Sequence, residues 1–106
     1  MSWKEAKKFC SDQQADMVVL ESEEEIKEVA KMTADLVKKR WRFWVGVEWI
    51  NGAWKTTPSK PGHGDCVRTG SDTKWYKANC MTKSMWPGYT FNPLCKKPSS
   101  IYTLNP

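Results

Sequence analysis

The run from Arg40 to Trp49, RWRFWVGVEW, constrains the fold more than any other stretch of the chain. Trp41, Phe43, Val45, Val47 and Trp49 alternate with Arg42, Trp44, Gly46 and Glu48, the two-residue period of a strand with one face on a core. Gly46 leaves room on the other face. Asn51-Gly52 follows between Trp49 and Trp54, and both residues tolerate the positive φ of a tight hairpin turn. The chain is therefore expected to turn back on itself at once, and the remaining segments to cover or staple this strand.

Two helices precede it. Ser2 and Glu5 have capping-box spacing, so a helix is expected from Trp3, with Ala6, Phe9, Cys10 and Gln13 on one stripe. Asp16 to Leu20 is a short extended apolar segment. Ser22 and Glu25 repeat the box, and Ile26, Val29, Ala30, Thr33, Leu36 and Val37 form the buried stripe of a second helix, with Glu24, Lys27, Glu28, Lys31 and Lys38 in water. Glu23, Glu24 and Glu25 in its first turn read as a cap complementing the helix dipole, not as catalytic carboxylates. Lys38-Lys39-Arg40, with Arg42, reads as the solvated end of that helix.

After the hairpin, residues 57–64 carry two prolines and two glycines and form a loop. Asp65 to Arg68 and Thr73 to Asn79 read as neighbouring strands around a turn at Gly70-Ser71-Asp72. Met81 to Tyr89 reads as a loop, and Thr90 to Lys96 as the last core strand. Strands gathered after helices imply an α+β chain, two helices on a small, mainly antiparallel sheet.

At 106 residues the chain is one domain, small enough that covalent staples matter. Cys10, Cys66, Cys80 and Cys95 are scattered, without the Cys-x-x-Cys spacing of zinc or redox sites. Two disulfides are the reading, in any of three connectivities, and they imply a secreted or extracellular protein. The sequence shows neither a signal peptide nor an apolar run long enough to span a bilayer. A net charge of +5 favours acidic partners but says nothing of fold. The single histidine, His63, sits between Gly62 and Gly64 and reads as a surface residue; with Asp65 it makes at most a weak zinc pair. Those glycines lack the lysine and following helix of a phosphate loop. No catalytic residues and no cofactor are expected, and the chain is read as not an enzyme.

Several spaced motifs carry a resemblance. SWKEAKKFC, ADMVVL followed by ESEEE, FWVGV, NGAW, DCV, KWYKANC and LCKK come in the order of a C-type lectin-like domain. The resemblance runs from Trp3 to Lys97, giving a domain over residues 1–97 and a tail over 98–106. It implies that FWVGV is the central strand of the core. Together with the strand reading it selects the pairs Cys66 with Cys80 and Cys10 with Cys95. Trp44, Gly46, Trp54 and Trp75 are taken as core positions.

Three departures shape the functional expectation. The strand that family members place before the first helix is missing, so the sheet has an open edge; Ser99 to Leu104 is expected to cover it, to pair with a second chain in a dimer, or to fray. No glutamate-proline-asparagine or glutamine-proline-aspartate motif lies between Trp54 and Cys66, and Trp75-Tyr76-Lys77 stands where the family has tryptophan-asparagine-aspartate. Binding is thus expected to be calcium-independent. Fourteen residues separate Cys80 from Cys95, a surplus that holds Lys83, Met85, Trp86 and Tyr89 around Pro87-Gly88. Lys83, Trp86 and Tyr89 are the expected ligand contacts, on a loop anchored by a cysteine at each end. The expected ligand is a glycan or a protein surface; the alternative is a basic, aromatic-rich binder of anionic polymers such as sulfated glycans, bacterial surface polymers or nucleic acid. Nucleic acid is not favoured as a partner, since no nucleic-acid motif accompanies the charge.

Overall fold

The computed structural model describes residues 1–20, 22–50, 52–56, 65–70, 74–85, 88–97 and 102–104. Asn51, the stretch 57–64 expected as a loop with His63, Ser71 and Asp72 of the expected turn, and the Trp86-Pro87 pair lie outside them. In chain order the elements are α1 (Trp3–Asp12), β1 (Asp16–Met17), α2 (Glu23–Lys38), β2 (Trp41–Ile50), β3 (Ala53–Thr56), β4 (Cys66–Thr69), β5 (Trp75–Ala78), β6 (Ser84–Met85), β7 (Tyr89–Asn92), β8 (Leu94–Lys96) and β9 (Tyr102–Leu104).

Both helices start at the expected caps. Ser2 Oγ accepts from the Glu5 N–H while Glu5 Oε1 accepts from the Ser2 N–H, closing the box at α1. Ser22 Oγ likewise accepts from the Glu25 N–H. Glu25 does not close the second box, because its carboxylate lies 3.1 Å from Lys96 Nζ and accepts a 3.0 Å hydrogen bond from the Tyr102 hydroxyl. One carboxylate thus ties the start of α2 to β8 and β9.

The strands form two sheets. The larger runs β5-β4-β2-β7-β6, with β3 hairpinned onto β2; the smaller runs β1-β8-β9. Pairing is antiparallel except where β7 lies parallel to β2, Trp41 to Phe43 opposite Thr90 to Asn92. The expected single strand from Thr90 to Lys96 is two, divided at Pro93: β7 belongs to the larger sheet and β8 to the smaller. Proline has no N–H to offer a ladder, and the chain changes sheets there. The expected 81–89 loop also carries strand: β6 pairs antiparallel with β7, and the Phe91 N–H donates to the Lys83 carbonyl. The tail's β9 pairs antiparallel with β8, Cys95 opposite Thr103, on the side away from β1.

β2 is buried on both faces, not one. Trp44 is fully buried on the α1 side with Trp3, Ala6, Cys66 and Phe91. Phe43 points the other way, into a cluster with Val18, Leu20, Val29 and Leu94 beneath α2. The indole N–H groups are satisfied: Trp3 donates to the Val45 carbonyl at 3.1 Å and Trp44 to the Met1 carbonyl at 2.8 Å. Gly46 is needed because β1 passes directly over it. Its N–H donates to the Val18 carbonyl, and a Cβ there would lie 2.8 Å from the Met17 carbonyl oxygen. The two disulfides are Cys10–Cys95, which joins α1 to the centre of the small sheet, and Cys66–Cys80.

Two expected core residues are not core. Trp54 is 39% exposed and Trp75 36%. Trp54 is on β3, which pairs with β2 alone, and Trp75 is on the edge strand β5. On that side of the sheet Val45, Val47 and Val67, with Val19 against them, already fill the interior. The Lys77 ammonium, 5.7 Å from the Trp54 ring, partners this half-open indole instead.

Candidate functional site

Of the three residues expected to bind ligand, Lys83 and Tyr89 lie among the described residues, and each already has a partner. Lys83 is exposed, but its ammonium is 3.4 Å from Glu5 Oε1 on α1, so it braces the β6–β7 hairpin against the helix. Trp86 lies outside the described residues. Tyr89, the first residue of β7, is half-buried beside two arginines, with the Arg42 guanidinium 4.7 Å from its ring centre and that of Arg40 5.8 Å.

Arg42 corrects another expectation. Lys38, Lys39 and Arg40 are exposed at the end of α2 as anticipated, but Arg42 is only 9% exposed and belongs to β2. Alternation explains this: Arg42 shares a face with Trp44 two residues on, so the strand carries it inward. Its Nη1 donates to the Trp41 carbonyl at 2.7 Å and to the Val37 carbonyl at 3.4 Å. Those carbonyls hold the guanidinium against the strand.

The neighbouring strand repeats the pattern. Arg68 on β4 lies opposite Trp44 on one side and Tyr76 of β5 on the other. Its guanidinium is 5.3 Å from the Tyr76 ring and 5.7 Å from the Phe91 ring. Burial lowers its pKa below the usual arginine value, and the nearby Arg42 charge lowers it further. Nη1 of Arg68 donates to the Thr69 carbonyl at 3.2 Å. Four adjacent strands thus bring Tyr76, Arg68, Arg42 and Tyr89 into one stripe, two cations with an aromatic ring at each end. Tyr76 is 41% exposed, so the stripe is open at the β5 end.

The sequence reasoning found Tyr89 and missed the rest. Arg68 and Tyr76 carried a usable signal, since Arg68 is two residues from Cys66 and Tyr76 two from Ala78 on what were already read as paired strands. At the far side of β5, Lys77 Nζ is 3.8 Å from Asp65 Oδ2, both exposed. Among the described residues no three histidine, cysteine, aspartate or glutamate side chains gather around a common point.

The sequence profile of the lectin C-type domain matches residues 1–86. The chain belongs to the C-type lectin-like domain family. It is 32% identical to snaclec crotocetin of Crotalus durissus terrificus over 76% of this chain, and spans 62% of that relative's length. Two solved structures share the fold. The carbohydrate-recognition domain of the mouse scavenger receptor C-type lectin has a TM-score of 0.61 at 24% identity, over 76% of this chain and 75% of that one. The cow C-type carbohydrate-recognition domain of CD23, solved in the presence of a GlcNAc2Man3 oligosaccharide, has a TM-score of 0.66 at 20% identity, over 100% of this chain and 82% of that one. C-type lectin-like domains are in general non-catalytic modules that bind carbohydrate or protein. In this C-type lectin-like domain Tyr89 lies beyond the residues that the profile matches, on the second strand of the β6–β7 hairpin.

Proposed function

We propose that this domain is a secreted, non-catalytic recognition module that binds a glycan or a protein surface without calcium, residues 1–97 forming the module and 98–106 a tail that completes its small sheet. The observation that carries the reading is the stripe of Tyr76, Arg68, Arg42 and Tyr89 across β5, β4, β2 and β7. Aromatic rings and guanidinium groups held on a rigid sheet provide stacking and charge-assisted hydrogen bonds at little entropic cost. The β6–β7 hairpin borders this stripe, and Lys83, Trp86 and Tyr89 remain its proposed contact residues, Lys83 by exchanging Glu5 for an acidic group on the ligand. The relative solved with an oligosaccharide makes a glycan the first ligand to try. Calcium independence is supported by the Lys77 ammonium beside Asp65, in the stretch where a cation would need several free oxygens.

A second reading, a binder of anionic polymers through diffuse charge, is favoured by Lys4, Lys7 and Lys8 along one side of α1. A glycan array with and without chelator, at two salt concentrations, separates the two. Defined glycans retained in chelator and at high salt, and lost in Tyr89→Ala, support the proposal. Binding that needs calcium overturns its calcium-independent part, and binding of every polyanion that disappears with salt favours the second reading.

A further inference from the structure

Arg42 and Arg68 lie on the same face of adjacent strands, and among the described residues neither is paired with an acid. Their Nη1 atoms are occupied by backbone carbonyls, and among the described residues Nε and Nη2 of both Arg42 and Arg68 have no acceptor. Every salt bridge among the described residues uses a lysine. A guanidinium offers five N–H donors in a planar fork, and two nearby guanidiniums, one of them nine-tenths buried, repel each other in a setting where water screens them poorly. A purely structural role would be met better by an arginine and a carboxylate, or by two apolar residues.

We infer that Arg42 and Arg68 form the oxyanion subsite of this surface, and that the ligand is an acidic saccharide whose sulfate or carboxylate lies between the two guanidiniums while its rings lie against Tyr76 and Tyr89. This rests on the recognition role proposed above and names the ligand class for that same stripe. From β5 to β7 the stripe crosses three strand spacings, roughly 14 Å, the length of a short oligosaccharide and not of one sugar. An acidic peptide fits less well. Peptides dock on sheets chiefly by adding a strand at an edge, whereas the stripe runs across the face of four strands, of which only β5 is an edge. The face offers rings and cationic forks, which suit a flat, ring-built, acidic chain.

The test is calorimetric titration of the intact, disulfide-bonded domain with four probes: a heparin-derived hexasaccharide, a hyaluronan hexasaccharide with carboxylates only, neutral N-acetylchitohexaose and hexaglutamate. At least one acidic saccharide is expected to bind roughly tenfold or more tightly than the neutral one, the difference of one charge-assisted contact. Arg68→Met, which keeps the aliphatic stem, is expected to abolish that difference while leaving the melting temperature unchanged or higher. Arg42→Gln is expected to do the same in any variant that folds. Lys4→Gln with Lys8→Gln removes two positive charges elsewhere and is expected to leave the preference intact. Acidic-saccharide binding that survives in Arg68→Met, an equal loss in the Lys4/Lys8 variant, or tighter binding of hexaglutamate overturns the inference. Equal, Tyr89-dependent binding of acidic and neutral sugars overturns the acidic preference alone and leaves the recognition surface standing.

Discussion

Replacing Gly46 by alanine tests the packing of the two sheets with a single carbon. The new Cβ would sit 2.8 Å from the Met17 carbonyl oxygen and 3.3 Å from both Met17 Cβ and Val19 Cγ2. Backbone cannot step aside as a long side chain can, so β1 must lift away from β2. Overpacking of this kind costs about 1 to 3 kcal/mol, and stretching the Gly46 N–H bond to the Val18 carbonyl adds about 1. Loss of glycine's freedom in the unfolded chain returns about 0.5 to 1 kcal/mol. The net destabilisation is about 1 to 3.5 kcal/mol, which for an unfolding entropy near 2 cal/mol/K per residue lowers the melting temperature by about 5 to 16 °C. Gly52→Ala is the control, since its Cβ would meet nothing within 4 Å and only its φ of +80° is strained. That strain costs about 1 kcal/mol. Differential scanning calorimetry under non-reducing conditions reads both. A Gly46→Ala melt within about 2 °C of the parent, or one milder than Gly52→Ala, would refute the packing argument.

Two further predictions concern the staples and the tail. Cys10 and Cys95 are 85 residues apart and Cys66 and Cys80 only 14, so in the chain-entropy account paired alanine replacement should cost about 4.5 kcal/mol for the first pair and about 3 for the second. Denaturant titration of both variants checks the order, and a larger loss for the short loop would contradict it. At the tail, burial and then the Glu25 hydrogen bond raise the Tyr102 pKa, and the Glu25 hydrogen bond raises that of Lys96. Both folded values lie above the ordinary 10.0 and 10.5, so the stability these groups contribute is complete below pH 10 and is lost as the pH climbs through the folded values. With Tyr76→Phe and Tyr89→Phe to leave one phenol, absorbance at alkaline pH should titrate Tyr102 above 10, and Glu25→Gln should bring the midpoint down. A midpoint at or below 10 in the parent background argues against the Glu25 link.

Local chemistry made much of the fold legible. Caps, helical stripes and the alternation around Trp44 each depend on residues within a turn or two of one another, and α1, α2 and β2 lie where those patterns put them. Errors arose where a distant partner decides. Whether Trp54 and Trp75 are covered depends on what packs over β3 and β5, and a tryptophan's hydrophobicity cannot report that its neighbours are three valines that already close the core. Glu25 had the spacing of a capping box but was drawn to Lys96 and Tyr102, more than seventy residues away. The site divided the same way. Tyr89 stood out because it sits in the long stretch between Cys80 and Cys95, whereas Arg42 looked like part of a basic helix end until strand alternation turned it inward beside Arg68.

The bonded pairs are nested, the Cys66–Cys80 loop lying wholly inside the loop closed by Cys10 and Cys95. In a chain made from its amino end, Cys10 emerges first and its proper partner last, so during synthesis it meets the thiols of Cys66 and Cys80 before Cys95 exists. The short native bond can form early, because only thirteen residues separate its ends. Should Cys10 capture either thiol first, the error can be undone only by exchange, since Cys95 must attack the wrong bond to release the right one. Productive biosynthesis of this domain therefore calls for a compartment that reshuffles disulfides as well as making them, and a host that only oxidises should accumulate chains cross-linked between Cys10 and the middle of the sequence.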